Sequence, residues 1–313
     1  MVEFIAELCQ NHNGDFEILK EMVYAAKEAG ASHAKIQYIY ADMLTFRGKF
    51  EEGETINGKI EVIKRPYQNE YERLKHLELR DQEIADFISL CAKIGIKPLV
   101  TVFTRDSIEN LVRQGFTEVK VASYDCGSLP LLKDLKSNFE RIIVSTGASY
   151  DFEIEQAADV LKGAKISFLH CVTIYPTPLD QFNLSRMKYL SNYTSSVGWS
   201  DHSLVERDGI DGTLVAIYYG AKIIERHFTI LPPDETKDGP VSVIPEQLKN
   251  LIDLSKLPIE DMELYLRERI PNFEKCLGSD SRELSREELM NRDYYRGRFA
   301  SRVGDKVLFN WEG

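Results

Sequence analysis

Positive charge is scarce in this sequence: 39 lysines and arginines face 50 aspartates and glutamates, for a formal net charge of -11. Such a surface repels nucleic acid and anionic lipid, so an anionic substrate has to meet a local cluster of cations. Cysteine is sparse as well. Cys9, Cys91, Cys126, Cys171 and Cys276 form an odd, scattered set with no CxxC pair, which argues against a disulfide framework and reads as reduced thiols that mostly pack. The opening MVEFIAELCQNHNG lacks a basic region, an apolar stretch of export length and a small-residue cleavage site, so a cytoplasmic protein is expected, neither disordered nor membrane-bound. No GxGxxG or GxxxxGK loop occurs, which removes the usual mark of a doubly wound nucleotide-binding sheet.

What is present is a repeated alternation. Across 313 residues, 43% of them hydrophobic, a short apolar run gives way to an amphipathic stretch and then to another apolar run, the pattern of parallel strands joined by helices. Eight runs can be counted, at residues 2–8, 33–39, 97–103, 118–123, 141–146, 165–171, 194–200 and 221–227, and eight is the number that closes a barrel. The stretches DFEILKEMVYAAKEAGA and RDQEIADFISLCAKIG place apolar residues at three- and four-residue steps and end at glycine, as amphipathic helices do. Residues 206–220 read as another helix. The α/β class expected is therefore a (β/α)8 barrel over 1–280 with a short extension over 281–313, too short for a second stable domain. Residues 41–80 are too long for an ordinary connection and read as an excursion over the barrel mouth.

In such a barrel, chemistry sits where strands end and βα loops begin. The runs supply polar residues there: Glu7, Lys35 with Gln37, Thr101, Lys120 with Ser123, Ser145, His170, Ser200 with Asp201 and His202, and Glu225 with His227. A lysine inside an apolar strand is costly unless an anion neutralises it. For Lys35 and Lys120, that anion is either an internal carboxylate such as Glu7 or Asp125, or a bound phosphate or carboxylate. Two lysines converging with Ser123, Ser145 and Ser200 favour the bound anion. His202 and His227, at adjacent strand ends, can each offer a neutral imidazole nitrogen to a divalent cation. His170 reads as a packing residue, and His12 as either a mouth residue or a support of the first turn. Tyr175, in IYPTP, reads as either a stiff wall of the mouth or a cover for the core, and Asp238, in the DETKDGPVS loop, as either a site residue or solvated loop charge.

The segments FIAELCQNHNGD, AKIQ, VKVAS, VSTGAS, LHCVTIYPTP, GWSDHS and AKIIERHFT occur in this order. Together they resemble the sialic acid (N-acetylneuraminate) synthase family, over about residues 2–290. The resemblance implies a (β/α)8 barrel, a divalent metal (manganese or magnesium), a homodimer, and phosphoenolpyruvate condensed with an open-chain N-acylated hexose to give a nonulosonic acid. It further implies that Lys35, Thr101, Lys120, Ser123, Ser145 and Ser200 hold phosphoenolpyruvate and that His202 and His227 hold the metal. Gln37, Tyr175 and Asp238 would line the sugar site, with Glu7, Asp238 and His227 as catalytic residues.

Two departures from the family pattern fall on the sugar side. Family members commonly end in an antifreeze-like domain whose arginine reaches the sugar of the other subunit. Here only RGRFASRVGDKV resembles its opening strand, so the extension reads as a remnant or truncated start of that domain and the outer wall is expected to be missing. Gly239 also stands where many members carry histidine. A condensing enzyme for a phosphorylated aldose therefore stays open, with Arg47, Lys64, Arg65 and Arg105 as candidate phosphate holders, and so does a catalytically silent sugar-binding barrel.

Overall fold

A computed structural model describes residues 2–313. Eight parallel strands close into a barrel: β1 (Glu3–Cys9), β2 (His33–Gln37), β3 (Lys97–Val102), β4 (Glu118–Val121), β5 (Arg141–Ser145), β6 (Lys165–His170), β7 (Val197–Asp201) and β8 (Ile223–His227). Consecutive strands pair, and β8 closes on β1 with Glu7 opposite His227. The (β/α)8 barrel expected from the alternation is the fold observed, with one strand overlapping each apolar run. The seventh starts late because Thr194 and Ser196 spend their polar groups locally: the Thr194 hydroxyl donates to the Ile166 carbonyl and accepts from the Ser196 amide, in competition with ladder pairing.

The helix Phe16–Ala29 shows how an outer-ring element is specified. Asp15 caps it by accepting from the amides of Glu17 and Ile18, and Gly30 ends it with φ of 99°, a conformation open to glycine at little cost. Its buried stripe is Leu19, Met22, Val23 and Ala26, spaced to face the barrel wall. The single helix expected over 206–220 is instead two, Val205–Asp208 and Asp211–Tyr218, separated at Gly209 with φ of 56°.

Alternation along the strands stacks the barrel interior in layers. At the N-terminal end, Arg141 donates to Glu3, Glu118 and Ser167, and His33 also meets Glu118. Above it lies an aliphatic layer of Ile5, Leu99, Ile143, Leu169 and Ile223, each side chain worth roughly 1.5–3 kcal/mol of burial. That gain stands against the cost of the charged layers on either side. The top layer, Glu7, Lys35, Thr101, Lys120, Ser145, Ser200 and Glu225, is buried and polar.

Two segments cover this end of the barrel. The 41–80 excursion forms a short helix (Lys49–Glu52), a hairpin (Glu54–Ile56 with Lys59–Val62) and a longer helix (Tyr67–Leu77). After residue 280 come the helix Arg286–Tyr295, N-capped by Ser285, and the hairpin Ser301–Val303 with Lys306–Leu308. The second segment is tied down by many bonds: Leu44 bridges to Phe299, Asn291 donates to the Thr173 carbonyl, and Arg292 and Arg296 both reach Glu153. The segment turns back over this chain's own barrel, where Tyr295, Arg298 and Phe299 line the cavity. Among the described residues no helix is long and apolar enough to cross a membrane.

Candidate active site

A cavity of about 390 Å³ opens above the top layer. Its floor is an ionic lattice. Lys35 lies between Glu7 and Glu225, with its Nζ 2.7 Å from Glu225 Oε2, and donates to Thr101 at 3.3 Å. Lys120 donates to Ser145 Oγ at 2.6 Å and stands 3.7 Å from Glu225. Ser200 completes the lattice by donating to Glu225 Oε1 at 2.7 Å. Neighbouring strands carry these residues in matching register, Glu7 beside Lys35, Thr101 beside Lys120 and Ser200 beside Glu225, which is why they share one layer.

The electrostatics of the floor follow from burial and pairing. Burial raises the Glu7 carboxyl, with Lys35 pulling the other way. At Glu225 burial also pushes up, but Lys120 and Lys35 outweigh it and hold the carboxyl ionised. Burial lowers Lys120 against the pull of Glu225, while Lys35, between two carboxylates, stays firmly charged. Of the two internal anions considered for the lysines, Glu7 does pair with Lys35. Asp125 instead accepts from Ser128 and Asn310, and Glu225 is the carboxylate near both lysines. Ser123 lines the same cavity, where its hydroxyl meets Cys171 Sγ at 3.0 Å and accepts from the Gly147 amide.

On one side of the floor, the rings of His202 and His227 lie 5.4 Å apart. Both Nδ1 atoms are buried without a hydrogen-bond partner, a costly state that a cation would relieve. Burial, then His227, push the His202 imidazole down, so it is neutral and able to donate a lone pair. The turn carrying His202 is fixed from behind by Asp201, which is fully buried, pairs with Arg226 at 2.5 Å and accepts from the Ser203 amide. Cys9, His227 and Asp238 place one donor atom each within 4.8 Å of one another, a grouping able to hold a metal ion. In the sequence Cys9 is one of five scattered thiols expected mostly to pack; its left-handed backbone, with φ of 39°, goes with its place in this group. A side chain at Gly239 would run into the Pro233 carbonyl, so this loop has no room for the histidine common at that position.

The outer mouth holds Gln37, which accepts from Gln10, and Tyr175, 46% exposed with its ring 4.2 Å from that of His202. Of the four basic residues singled out from sequence, only Arg65 lines the cavity. Arg47 packs on Phe50 and donates to the Arg296 carbonyl, Lys64 pairs with Glu52, and Arg105 pairs with Asp134. Sequence reasoning missed Arg73, Lys237 and Arg298, which join Arg65 in the mouth: Arg73 stands on the helix Tyr67–Leu77 of the excursion, Lys237 on the loop after β8 and Arg298 on the C-terminal segment, all outside the strand pattern that marks the floor. His170 packs beside Trp199 and bonds the Phe182 carbonyl, and His12 accepts from the Gly14 amide within the first turn.

A closed barrel with a buried cationic floor is the framework of an enzyme for an anionic substrate, and comparisons with known proteins narrow the class to acid synthases. The chain is 34% identical over 279 residues to the N,N'-diacetyllegionaminic acid synthase of Legionella pneumophila, covering 84% of this chain and 72% of that protein. It is 28% identical over 305 residues to a pseudaminic acid synthase of Campylobacter jejuni, covering 96% and 82%. The crystal structure of N-acetylneuraminic acid (sialic acid) synthetase from Leptospira borgpetersenii, in complex with citrate, matches with a TM-score of 0.68 at 27% identity, over 94% of this chain and 90% of that one. The NeuB family model matches residues 22–260, and the chain belongs to the NeuB family.

Proposed function

We propose that this enzyme condenses phosphoenolpyruvate with the aldehyde form of an N-acylated hexose, giving a nonulosonic acid and phosphate. The observation that carries the reading is the floor itself, where two buried lysines converge with Thr101, Ser145 and Ser200 beside two unpartnered imidazoles. Lys35 and Lys120, with Thr101, Ser123, Ser145 and Ser200, receive the phosphate and carboxylate of the donor; fixed cations in a dry floor stabilise charge better than mobile water does. C3 of the donor then forms a bond to the aldehyde carbon, the sugar oxygen takes a proton, and water adds at C2. Breaking the C2–O bond releases phosphate and leaves the 2-keto acid. Glu7, raised by burial, is the group that orients this water and takes its proton. Gln37, Tyr175 and Asp238 hold the sugar. His202 and His227 would hold a divalent cation, manganese or magnesium, which when bound supplies Lewis-acid polarisation of the acceptor carbonyl.

A second reading, a phosphorylated acceptor, is favoured by one observation. Arg65, Arg73, Lys237 and Arg298 surround the mouth, and the carboxylate of Glu70 is shared between two of them. A phosphate-release assay with a panel of acceptors, followed by mass spectrometry of the products, tests both. Release with unphosphorylated N-acylated hexoses supports the first reading, strict dependence on a sugar phosphate selects the second, and no release with any acceptor overturns both.

A further inference from the structure

Cys9 adopts a conformation that its side chain does not favour. Its φ is 39°, in the left-handed region where a Cβ is crowded and which glycine occupies far more readily. It sits where the β1–β2 register shifts after Glu7, and Glu7 Oε1 accepts its amide hydrogen at 2.7 Å. Strain of this kind persists where the surroundings enforce it, commonly at functional sites. Here it sets the buried Sγ 3.1 Å from Asp238 Oδ2. The donor atoms of Cys9, His227 and Asp238 all lie within 4.8 Å of one another. Donor atoms round one tetrahedral ion at 2.0–2.3 Å lie about 3.3–3.8 Å apart, so side-chain adjustments of up to about an ångström bring these three onto one ion. An independent sign comes from the buried and unpartnered Nδ1 of His227 and of neighbouring His202.

We propose that Cys9 is itself a metal ligand, its sulfur joining His227 and one carboxylate oxygen of Asp238, the other oxygen being left to the sugar, and that it tunes the site toward a thiophilic divalent cation such as zinc, iron(II) or cobalt(II) over magnesium. This rests on the reading of the mouth as a metal site. The chemistry balances simply: as the sulfur–metal bond forms, the thiol S–H bond breaks and one proton leaves to solvent. A thiolate donor favours softer cations, whereas carboxylate and water ligands suit magnesium. Cys171 bonds Ser123, and Cys91, Cys126 and Cys276 belong to the hydrophobic core, so among the described residues Cys9 alone joins a metal-capable group.

The test is titration of the metal-free full chain with cobalt(II), read by absorption. Visible ligand-field bands report cobalt in a protein site, and a near-ultraviolet sulfur-to-cobalt charge-transfer band reports thiolate ligation. We expect both in the wild type, only the ligand-field bands in Cys9→Gly and Cys9→Ser, and neither in His227→Ala. Glycine suits the local φ, so Cys9→Gly keeps the fold. Competition should also show zinc affinity falling in Cys9→Gly by at least the roughly 10- to 100-fold that follows loss of a supporting group, with magnesium affinity little changed. Ligand-field bands without charge transfer in the wild type overturn the role of Cys9 and leave the metal site standing. A charge-transfer band that survives Cys9→Ser overturns it as well, and no cobalt uptake at all overturns the metal site with it.

Discussion

Arg298 and Glu70, 228 residues apart in sequence, form a buried ion pair above the barrel mouth. Arg73 grips the same carboxylate from its own helix at 2.8 and 3.1 Å. Burial pushes Glu70 up, but Arg73 and Arg298 overcome this and hold it at about 2. The pair joins the excursion after β2 to the segment after the barrel, so on the proposed assignment it fixes the acceptor side without touching the floor. We expect Arg298→Ala to raise KM for the acceptor roughly tenfold or more while KM for phosphoenolpyruvate stays unchanged. Steady-state kinetics with each substrate varied in turn decides it; a shared rise in both constants would place Arg298 in the donor site instead.

Lys237 is expected to make anion binding at the mouth sensitive to pH. Although its side chain is open to the cavity, the surrounding protein and then Arg73 hold its ammonium down at about 8, against the usual 10.5. It is charged below pH 8 and neutral above. Affinity for a phosphorylated sugar, measured calorimetrically, should therefore weaken as pH rises through 8, and Lys237→Arg should remove that dependence. A profile unchanged by the arginine would show that another group titrates.

Glu225 is the counter-ion near both floor lysines. Glu225→Gln leaves buried positive charge undercompensated, which costs roughly 3 kcal/mol. Because the deficit is anionic, inorganic phosphate should raise the melting temperature of this variant more than that of the wild type. Equal shifts in the two proteins would mean that phosphate does not bind beside the lysines.

At the other end of the barrel, Glu118 accepts from His33, Arg141 and Lys97. Burial pushes it up, yet these partners hold it at about 2, below its ordinary 4.5. A carboxyl lowered in this way stabilises the fold above pH 4.5, and the contribution is lost as pH falls from there toward 2. Glu118→Gln should cost about 2 kcal/mol at neutral pH, allowing for partial screening. The gap between variant and wild type in urea unfolding should narrow over that acid range, and a gap constant with pH would point to packing rather than charge.

The barrel and its floor were legible because period-two alternation and strand ends fix them together. Once β1 to β8 close, Glu7, Lys35, Thr101, Lys120, Ser145 and Ser200 have to share one layer. Spacing could not say which carboxylate answers which lysine. Asp125, near Lys120 in the chain, turns to Asn310, while Glu225 reaches it across the barrel. Arg73, Lys237 and Arg298 were invisible because they lie on the excursion, on a loop and on the C-terminal segment, outside the strand alternation, and their meeting depends on contacts distant in sequence. Cys9 was hidden for another reason: nothing in its neighbours announces a left-handed backbone.

The Arg141 cluster and the aliphatic layer above it have a consequence for traffic. With Arg141 buried and paired to Glu3 and Glu118, the lower barrel is stoppered, and molecules reach the floor only through the upper mouth. On the proposed assignment the donor rests deepest, behind the place the sugar would occupy. Whatever enters first must then leave last, so the kinetics should follow a compulsory order in which a dead-end sugar analogue, once seated, locks phosphoenolpyruvate inside.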